Sequence, residues 1–308
     1  MYRIGLCGHF GKGHNLVNGQ TIKTKILTDG LIAALGANEV KTVDTYNWKR
    51  RLLSTAIQCF LLVKNSENII VLPAHNGVKT LIPLFLLINE LFKRKLHYIV
   101  IGGWLPGLLR KNLKLKQKIN KLDGVYVETV VLKKELNSIG LKNIFLLPNC
   151  KNLKILDNKD IVYNDNKPQK VCTISRVTAE KGIEDAIEVI TNINRKAGKI
   201  VYILDIYGPV DKSYTARFNA MMTTFPSYIK YRGVIDYGNT VDTLKDYFVL
   251  LFPTRYKTEG IPGTIIDAYA AGVPVIASNW NSAREIVIEN KTGYIYGFER
   301  NNELEEIL

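Results

Sequence analysis

The stretch 251–278, with the sequence LFPTRYKTEGIPGTIIDAYAAGVPVIAS, constrains the fold of this chain more than any other segment. An apolar segment is followed by a polar loop, a helical pattern that opens near Pro262, a turn at Gly272 and a second apolar segment. Short apolar runs on either side of a helix are typical of buried parallel strands. The stretch therefore predicts a β-α-β unit of an α/β domain.

Two carboxylates mark the polar side of this unit. Glu259 lies in the loop, and Asp267 follows eight positions later within the predicted helix. They bracket the N-terminus of that helix, where free N–H groups and the positive end of the helix dipole suit a phosphate. Carboxylates that can bind sugar hydroxyls, next to a phosphate-binding site, indicate a site for a nucleotide sugar.

The alternation of strand and helix patterns extends through both halves of the 308 residues, a length that allows two ordinary domains. The predicted strands are Tyr2–Cys7, Val40–Asp44, Ile69–Leu72, His97–Ile101, Gly124–Val127, Ile144–Leu147, Val171–Ile174, Tyr202–Tyr207, Ile229–Arg232, Val249–Phe252 and Val275–Ala277. The predicted helices are Gln20–Leu35, Lys49–Val63, Val78–Phe92, Leu105–Leu122, Val130–Ser138, Ile183–Arg195, Tyr214–Phe225, Thr240–Tyr247 and Thr264–Ala271.

This pattern predicts an α/β fold of two Rossmann-like domains that face each other across a cleft. Residues 1–150 form the first domain, the polar stretch 151–169 is a linker, and residues 170–308 form the second domain. A ligand is expected beyond the C-terminal ends of the strands. Because the chain stops one or two turns into a helix, we expect the second domain to be short or truncated.

A pair of cations follows the first strand of the second domain. Arg176 stands at the predicted strand exit, and Lys181 stands at the start of the next helix. An Arg fork and a Lys point charge at a strand end can hold a diphosphate and stabilise its charge as it leaves. The alternative is an exposed Arg and a Lys that only flanks a helix.

In order along the chain, these motifs resemble those of glycosyltransferase family 4, whose members are retaining enzymes with the GT-B fold. The two acids occur in Glu259-Gly-Ile-Pro-Gly-Thr-Ile-Ile-Asp267-Ala-Tyr-Ala-Ala-Gly-Val-Pro-Val-Ile-Ala-Ser278, and the cations occur in Ser175-Arg176-Val-Thr-Ala-Glu-Lys181-Gly182. Between them lie Ile206-Tyr-Gly-Pro209 and Tyr231-Arg-Gly-Val234. The resemblance covers roughly residues 170–300. One departure is Asp267, where the family usually has Glu.

The resemblance implies a role for each residue that matches the motif. Glu259, Arg176 and Lys181 form the catalytic set, in which Glu259 contacts the transferred sugar and the two cations bind the diphosphate. Asp267 binds the ribose hydroxyls. The further donor-binding positions are Gly263, Thr264, Gly260, Gly208, Arg232, Gly233, Gly11 and Lys12. No metal and no cofactor are implied, since the nucleotide sugar is a substrate.

The first domain matches the family less closely. Its Gly-rich loop, Gly8-His-Phe-Gly11-Lys12-Gly13, follows the first strand. The resemblance implies that this loop borders the donor phosphate and the acceptor, where its bare N–H groups and Lys12 are expected to contribute. On the acceptor side, the resemblance points to His75 and Trp104. His75 could equally be a packing or loop histidine.

The charge is concentrated in the first half of the chain. Residues 1–168 contain 26 Lys and Arg against 11 Asp and Glu, whereas the remainder is close to neutral. A basic half indicates either an anionic partner or a lysine-rich surface that only faces solvent. The helix predicted at Leu105–Leu122 carries many lysines beside an apolar stripe. That helix either lies on an anionic membrane or turns its stripe to the core. With no RNA- or DNA-binding motif, no nucleic-acid partner is expected.

The sequence predicts a protein of the cytoplasm, peripheral on the inner face of the plasma membrane. Four isolated cysteines indicate a reducing compartment, and neither a signal peptide nor a transmembrane run is expected. The resemblance implies transfer of a hexosyl unit from a UDP-sugar to a lipid-linked or glycan acceptor during synthesis of capsule or exopolysaccharide. Alternatives are an inactive carbohydrate- or membrane-binding relative, an epimerase of the same fold, and a nucleic-acid binder.

Overall fold

The computed structural model describes residues 1–14, 19–161 and 168–308. The chain divides into two compact units, Met1–Cys150 and Lys151–Leu308, and each holds a six-stranded β-sheet with helices packed on it. The expected α/β class and the two Rossmann-like domains are confirmed.

The sheet of the first unit consists of short strands rich in Val and Ile. They are β1 (Tyr2–Gly8), β2 (Val40–Asp44), β3 (Ser66–Val71), β4 (Lys95–Ile99), β5 (Gly124–Val127) and β6 (Ile144–Leu146). The order across the sheet is β2-β1-β3-β4-β5-β6, and every pairing is parallel. Branched side chains such as Ile69 and Val71 favour the extended backbone and lie buried in the core.

Helices connect these strands. They are α1 (Gly19–Leu35), α2 (Leu52–Lys64), α3 (His75–Phe92), α4 (Leu105–Lys111), α5 (Leu113–Ile119) and α6 (Val130–Ser138). The N-terminal part of the helix predicted from Lys49 is instead a 3-10 turn at Trp48–Arg50.

The prediction of a single helix at Leu105–Leu122 is wrong, because Asn112 separates this segment into α4 and α5. This residue leaves the helical region (φ −139°, ψ 81°), and its side chain accepts the N–H of Leu115 at 3.0 Å. Asn prefers this N-cap role to a place inside a helix. The apolar stripe of the segment, including Leu115 and Ile119, is buried in the core of the first unit. Of the two alternatives, the core-facing helix is therefore confirmed.

The second unit repeats the architecture. Its strands are β7 (Gln169–Ile174), β8 (Tyr202–Tyr207), β9 (Ile229–Gly233), β10 (Val249–Phe252), β11 (Val275–Ser278) and β12 (Gly293–Tyr296). They pair in parallel in the order β12-β11-β10-β7-β8-β9. The sequence did not predict β12, a four-residue strand that begins with a glycine, a residue that weakens strand patterns.

The helices of the second unit cover both faces of its sheet. They are α7 (Ile183–Ala197), α8 (Thr215–Met222), α9 (Thr240–Leu244), α10 (Gly263–Ala270) and α11 (Asn301–Ile307). Two apolar clusters result, one that includes α7 and α11 and one that includes α9 and α10. In the described parts of both units, no helix has the length and apolar character needed to cross a membrane.

The predicted linker, 151–169, falls partly outside the described residues, at 162–167. Its described part packs on the second unit. Leu153 and Leu156 lie against the cluster that includes α10, and the N–H of Leu156 donates to the carbonyl of Ala270 at 2.9 Å. Residues 151–161 therefore belong structurally to the second unit.

Candidate active site

The predicted donor-site residues of the second unit lie at or after the C-terminal ends of its strands. Arg176 follows β7, Gly208 follows β8, and Arg232 and Gly233 end β9, while the loop with Glu259 follows β10. Because all six strands run in parallel, these ends share one edge of the sheet. Motifs separated by many residues in the sequence are thus brought to the same side of the unit.

At this edge Lys181 and Glu259 form an ion pair between Nζ and Oε1. Lys181 ends a 3-10 turn that precedes α7, and Glu259 lies in the loop before α10. Their side chains are 17% and 12% exposed. The Thr254 hydroxyl lies 3.1 Å from the same carboxylate oxygen, and the N–H of Arg255 donates to the carbonyl of Glu180 at 2.8 Å. These contacts tie the two loops together and fix the ammonium beside the carboxylate.

Two glycines allow close backbone contacts at this edge of the sheet. Gly182 has a φ of +66°, and a Cβ placed on it would lie 1.8 Å from the carbonyl oxygen of Pro253. Gly208 has a φ of +127°, and a Cβ there would lie 1.7 Å from the carbonyl oxygen of Ser175. Only glycine fits both the backbone conformation and the contact at these positions. Gly182 therefore allows the start of α7 to pack directly against the backbone that follows β10.

Asp267 lies on α10 and is almost completely buried. The ammonium of Lys151 contacts both of its carboxylate oxygens. Burial raises the pKa of Asp267 above its ordinary value, and the charge of Lys151 acts in the opposite direction. No sequence motif points to Lys151, because this residue is 116 positions from its partner.

The N-terminus of α10 borders the same region. Pro262 is the N-cap residue, and Gly263 is the first residue of the helix. The first N–H groups of a helix have no acceptor within it and lie at the positive end of its dipole. Gly260, Gly263 and Thr264 are half-buried, so this end of the helix is accessible to a small anion.

Arg176 does not contact the Lys181–Glu259 pair. Its guanidinium is largely exposed and lies 3.8 Å from a carboxylate oxygen of Asp211. An exposed pair at this distance holds a side chain only weakly. Arg176 therefore lies at the same edge of the sheet as this pair, with a side chain that is free to reorient.

Arg232 is held more firmly. Its Nε donates to the buried carboxylate of Asp205 at 2.7 Å, and the Tyr247 hydroxyl donates to the other oxygen at 2.8 Å. The hydrogen bond to Asp205 raises the pKa of Arg232. Gly233 follows with a φ of +80°, and its carbonyl accepts the N–H of Gly208 at 2.8 Å. Asp205 anchors this corner, although it looks like an ordinary strand residue in the sequence.

In the first unit, the side chain of Asp44, at the end of β2, binds the backbone of the Gly-rich loop. Its carboxylate accepts the N–H groups of Phe10, Gly11 and Lys12 at 2.9, 3.3 and 2.9 Å, and that of Tyr46 at 2.8 Å. Burial raises the pKa of this carboxyl, but the four donors outweigh burial and hold the pKa below its ordinary value. The N–H groups that we expected to be bare for a phosphate are therefore already bonded.

The two residues predicted for the acceptor side contact each other. The rings of His75 and Trp104 pack edge to face, with centroids 5.1 Å apart. Trp104 also donates its indole N–H to the carbonyl of Ile101 at 2.6 Å. A further feature that the sequence did not reveal is the buried ion pair between Lys23 and Glu128, at the C-terminal end of β5.

A family model for glycosyl transferases group 1 matches residues 155–308, half of the chain. The chain belongs to the group 1 glycosyltransferases. The matched segment contains Arg176, Lys181, Glu259 and Asp267. In the described residues, no group of three or more His, Cys, Asp or Glu side chains is placed to hold a metal ion.

Curated relatives match about half of the chain. The amylovoran biosynthesis glycosyltransferase AmsK of Erwinia amylovora is 24% identical over 160 residues, which cover 51% of this chain and 38% of AmsK. A GDP-mannose-dependent alpha-(1-6)-phosphatidylinositol monomannoside mannosyltransferase of Mycobacterium tuberculosis is 30% identical over 134 residues, which cover 42% of this chain and 34% of that enzyme. The matches thus span roughly a third of the length of each relative.

A solved structure resembles the chain over its whole length. The structure of Anabaena Alr3699/HepE in complex with UDP and glucose superimposes with a TM-score of 0.72. The match covers 100% of this chain and 89% of the Anabaena chain. The sequences are 14% identical, so the likeness concerns the fold. That fold is the GT-B fold expected from the motifs.

Proposed function

We propose that the protein is a retaining hexosyltransferase of glycosyltransferase family 4 that uses a UDP-sugar. The acceptor is a hydroxyl of a lipid-linked oligosaccharide or glycan, and the product belongs to a surface polysaccharide such as a capsule or exopolysaccharide. The observation that carries this proposal is the Lys181–Glu259 pair, held beside the start of α10 at the C-terminal edge of the sheet. It combines a carboxylate for a sugar with a cation for its leaving group.

The chemistry divides among the residues of this edge. Lys181, the reorientable Arg176 and the N-terminus of α10 stabilise the diphosphate as the bond between the sugar and its phosphate breaks. Glu259 holds the transferred sugar, and Asp267 holds the ribose. The acceptor oxygen forms its bond on the face that the phosphate leaves, and its proton passes to a phosphate oxygen. The protein then contributes alignment and charge rather than a separate base, and no metal is required.

The named relatives support this substrate class. AmsK is named for amylovoran biosynthesis, and the Anabaena protein was solved with UDP and glucose. The mycobacterial relative is named for GDP-mannose, so GDP is the competing donor nucleotide.

A thermal-shift assay of the purified protein with UDP-, GDP- and ADP-sugars tests the donor proposal. UDP-sugars should raise the melting temperature of the wild type, and Lys181→Met should remove most of this shift. The control is Lys199→Met, because Lys199 is an exposed lysine of the same unit. Equal shifts in wild type and Lys181→Met would contradict the proposal. Binding without sugar transfer or donor hydrolysis would indicate the inactive relative instead.

We further propose that the first unit contacts an anionic membrane from the cytoplasmic side. The unit contains 22 Lys and Arg against 8 Asp and Glu, which accounts for the whole net charge of +14. The second unit contains 20 of each. A positive unit is attracted to anionic lipid headgroups by roughly 1 kcal/mol per well-placed cation.

An exposed apolar face on the first unit supports the membrane proposal. This face is formed by the exposed apolar side chains of α2 and α3, two helices that pack against each other: Leu53, Ile57, Phe60, Leu61, Leu87 and Leu91. Leu53, Leu87 and Leu91 are 76%, 64% and 73% exposed. Phe60 joins the two helices through a ring contact with Phe92 at 5.4 Å. Exposed apolar side chains grouped on two packed helices are typical of an interaction site.

Cations adjoin this face. A surface cavity of about 530 Å³ opens beside Leu87. Its lining combines apolar side chains with three ammonium groups and one carboxylate: Pro83, Leu84, Leu86, Leu87, Asn89, Glu90, Lys93, Lys118 and Lys121. Such a combination suits a lipid with a negatively charged headgroup, since acyl chains contact the leucines while phosphate contacts the lysines.

A further inference from the structure

Lys151 is the first residue of the second unit, and its side chain is buried against Asp267. The exposed fractions of the two side chains are 7% and 2%. Both carboxylate oxygens contact the same ammonium, so the face of Asp267 that this ammonium covers is closed to other donors. A buried pair of this kind tolerates the loss of one member poorly, because the other charge is left without a partner.

The same lysine also lies beside the start of α10. A Cβ built on Gly263, the first residue of this helix, would lie 3.7, 3.8 and 3.9 Å from Cδ, Nζ and Cε of Lys151. A cation near the positive end of a helix dipole is disfavoured. The negative charge of Asp267 offsets this cost, and an anion bound at the helix start would do the same.

We propose that Lys151 is a further donor-binding residue that exchanges one anion for another. In the structure its ammonium pairs with Asp267, and when the donor binds it pairs with the diphosphate and leaves Asp267 to the ribose hydroxyls. This inference rests on the proposed function, because it takes Asp267 as the ribose acid. Asp267 then accepts hydrogen bonds from the ribose hydroxyls while Lys151 donates to the diphosphate, so neither buried group is left without a hydrogen-bond partner.

The exchange also accounts for aspartate at position 267. The side chain of aspartate is one methylene shorter than that of the family's usual glutamate. The ammonium of Lys151 lies directly against this shorter carboxylate and next to Gly263. A longer acid would push the ammonium out of this position.

The exchange predicts that binding of a nucleoside depends on its phosphates. Uridine alone offers hydroxyls to Asp267 but no anion to receive the displaced ammonium. UDP offers both. The preference for UDP over uridine should therefore depend on the charge of Lys151.

Isothermal titration calorimetry with UDP and with uridine tests this inference on wild type, Lys151→Met and Lys151→Gln. Both variants should bind UDP about tenfold or more weakly, because a charge-assisted hydrogen bond is lost. Their affinity for uridine should be unchanged or higher. Lys151→Gln can still donate to Asp267, so it tests the charge without leaving the carboxylate bare. The control is Lys154→Met, which removes an exposed lysine of the same segment.

The outcomes separate the two proposals. If the wild type binds UDP and both Lys151 variants keep its preference for UDP over uridine, the inference is overturned while the proposed function stands. Equal losses of UDP and uridine affinity would mean that Lys151 only supports the fold, which also overturns it. If the wild type binds no UDP, the proposed UDP donor fails and the inference fails with it.

Discussion

Gly182→Ala is the substitution whose effect follows most directly from the structure. Gly182 precedes α7 with a φ of +66°, and the added Cβ would lie 1.8 Å from the carbonyl oxygen of Pro253. To reach 3.0 Å, the shortest distance that real Cβ atoms show, the two groups must separate by about 1.2 Å. That displacement acts on the β10 exit, which leads to Glu259.

The magnitude has two parts. An alanine in the left-handed region costs about 1–2 kcal/mol relative to glycine. Forcing an extra carbon into a packed contact adds about 1–3 kcal/mol. The free energy of unfolding of the second unit should therefore fall by about 2–5 kcal/mol.

The other end of the same helix provides a matched control. Gly198 follows α7 with a φ of +64°, and nothing lies within 4 Å of a Cβ built on it. Gly198→Ala should cost only the backbone part, about 1–2 kcal/mol. Urea unfolding followed by circular dichroism measures both variants, and the donor-induced thermal shift should fall in Gly182→Ala alone. Equal losses of stability in the two variants would refute the contact argument.

Leu87→Ser combined with Leu91→Ser should weaken sedimentation with phosphatidylglycerol vesicles by at least about tenfold, since each leucine loses its transfer into the lipid. Ile288→Ser, at an exposed apolar residue of the other unit, should leave sedimentation unchanged, and equal binding to neutral phosphatidylcholine vesicles would contradict the role of charge. Asp44→Asn should lower the urea midpoint at pH 7. The depressed pKa of Asp44 stabilises the fold fully above its unfolded value of about 3.9, and this contribution disappears as pH falls through the lower folded pKa. The variant should therefore show a shallower loss of stability under acid, and an unchanged acid profile would speak against the four-donor contact. Asp205→Ala removes the buried acceptor of one guanidinium and one phenol and should cost about 1–3 kcal/mol in urea unfolding, whereas a neutral effect would show that water replaces the carboxylate.

Much of the fold could be predicted because it depends on local patterns. Apolar runs bounded by turn residues gave the bounds of β2, β5, β8 and β10 without error. The break at Asn112 is also encoded locally, because asparagine is a preferred N-cap residue. The prediction missed this signal because the pattern of leucines and lysines continues on both sides of it.

The candidate site was predictable only where its residues belong to a motif. Lys181 and Glu259 were expected near one donor, and they form an ion pair. Lys151 could not be found in this way, because its identity as a partner depends on a fold that joins positions 151 and 267. The same holds for Asp44, whose contact with the loop at Gly11 spans 33 positions. One-dimensional patterns indicate which side chains are charged, whereas tertiary packing decides which opposite charge each one meets.

The contacts of Asp44 fix the shape of the Gly-rich loop before any ligand binds. Three consecutive amides converge on one internal carboxylate, so the backbone from Phe10 to Lys12 takes its curved shape as the chain folds, before any small molecule arrives. The entropy lost in ordering this curve belongs to folding and does not weaken later association. Asp44→Gly would remove the carboxylate that these three N–H groups bind. Inorganic phosphate is then expected to bind the same N–H groups in place of the missing side chain.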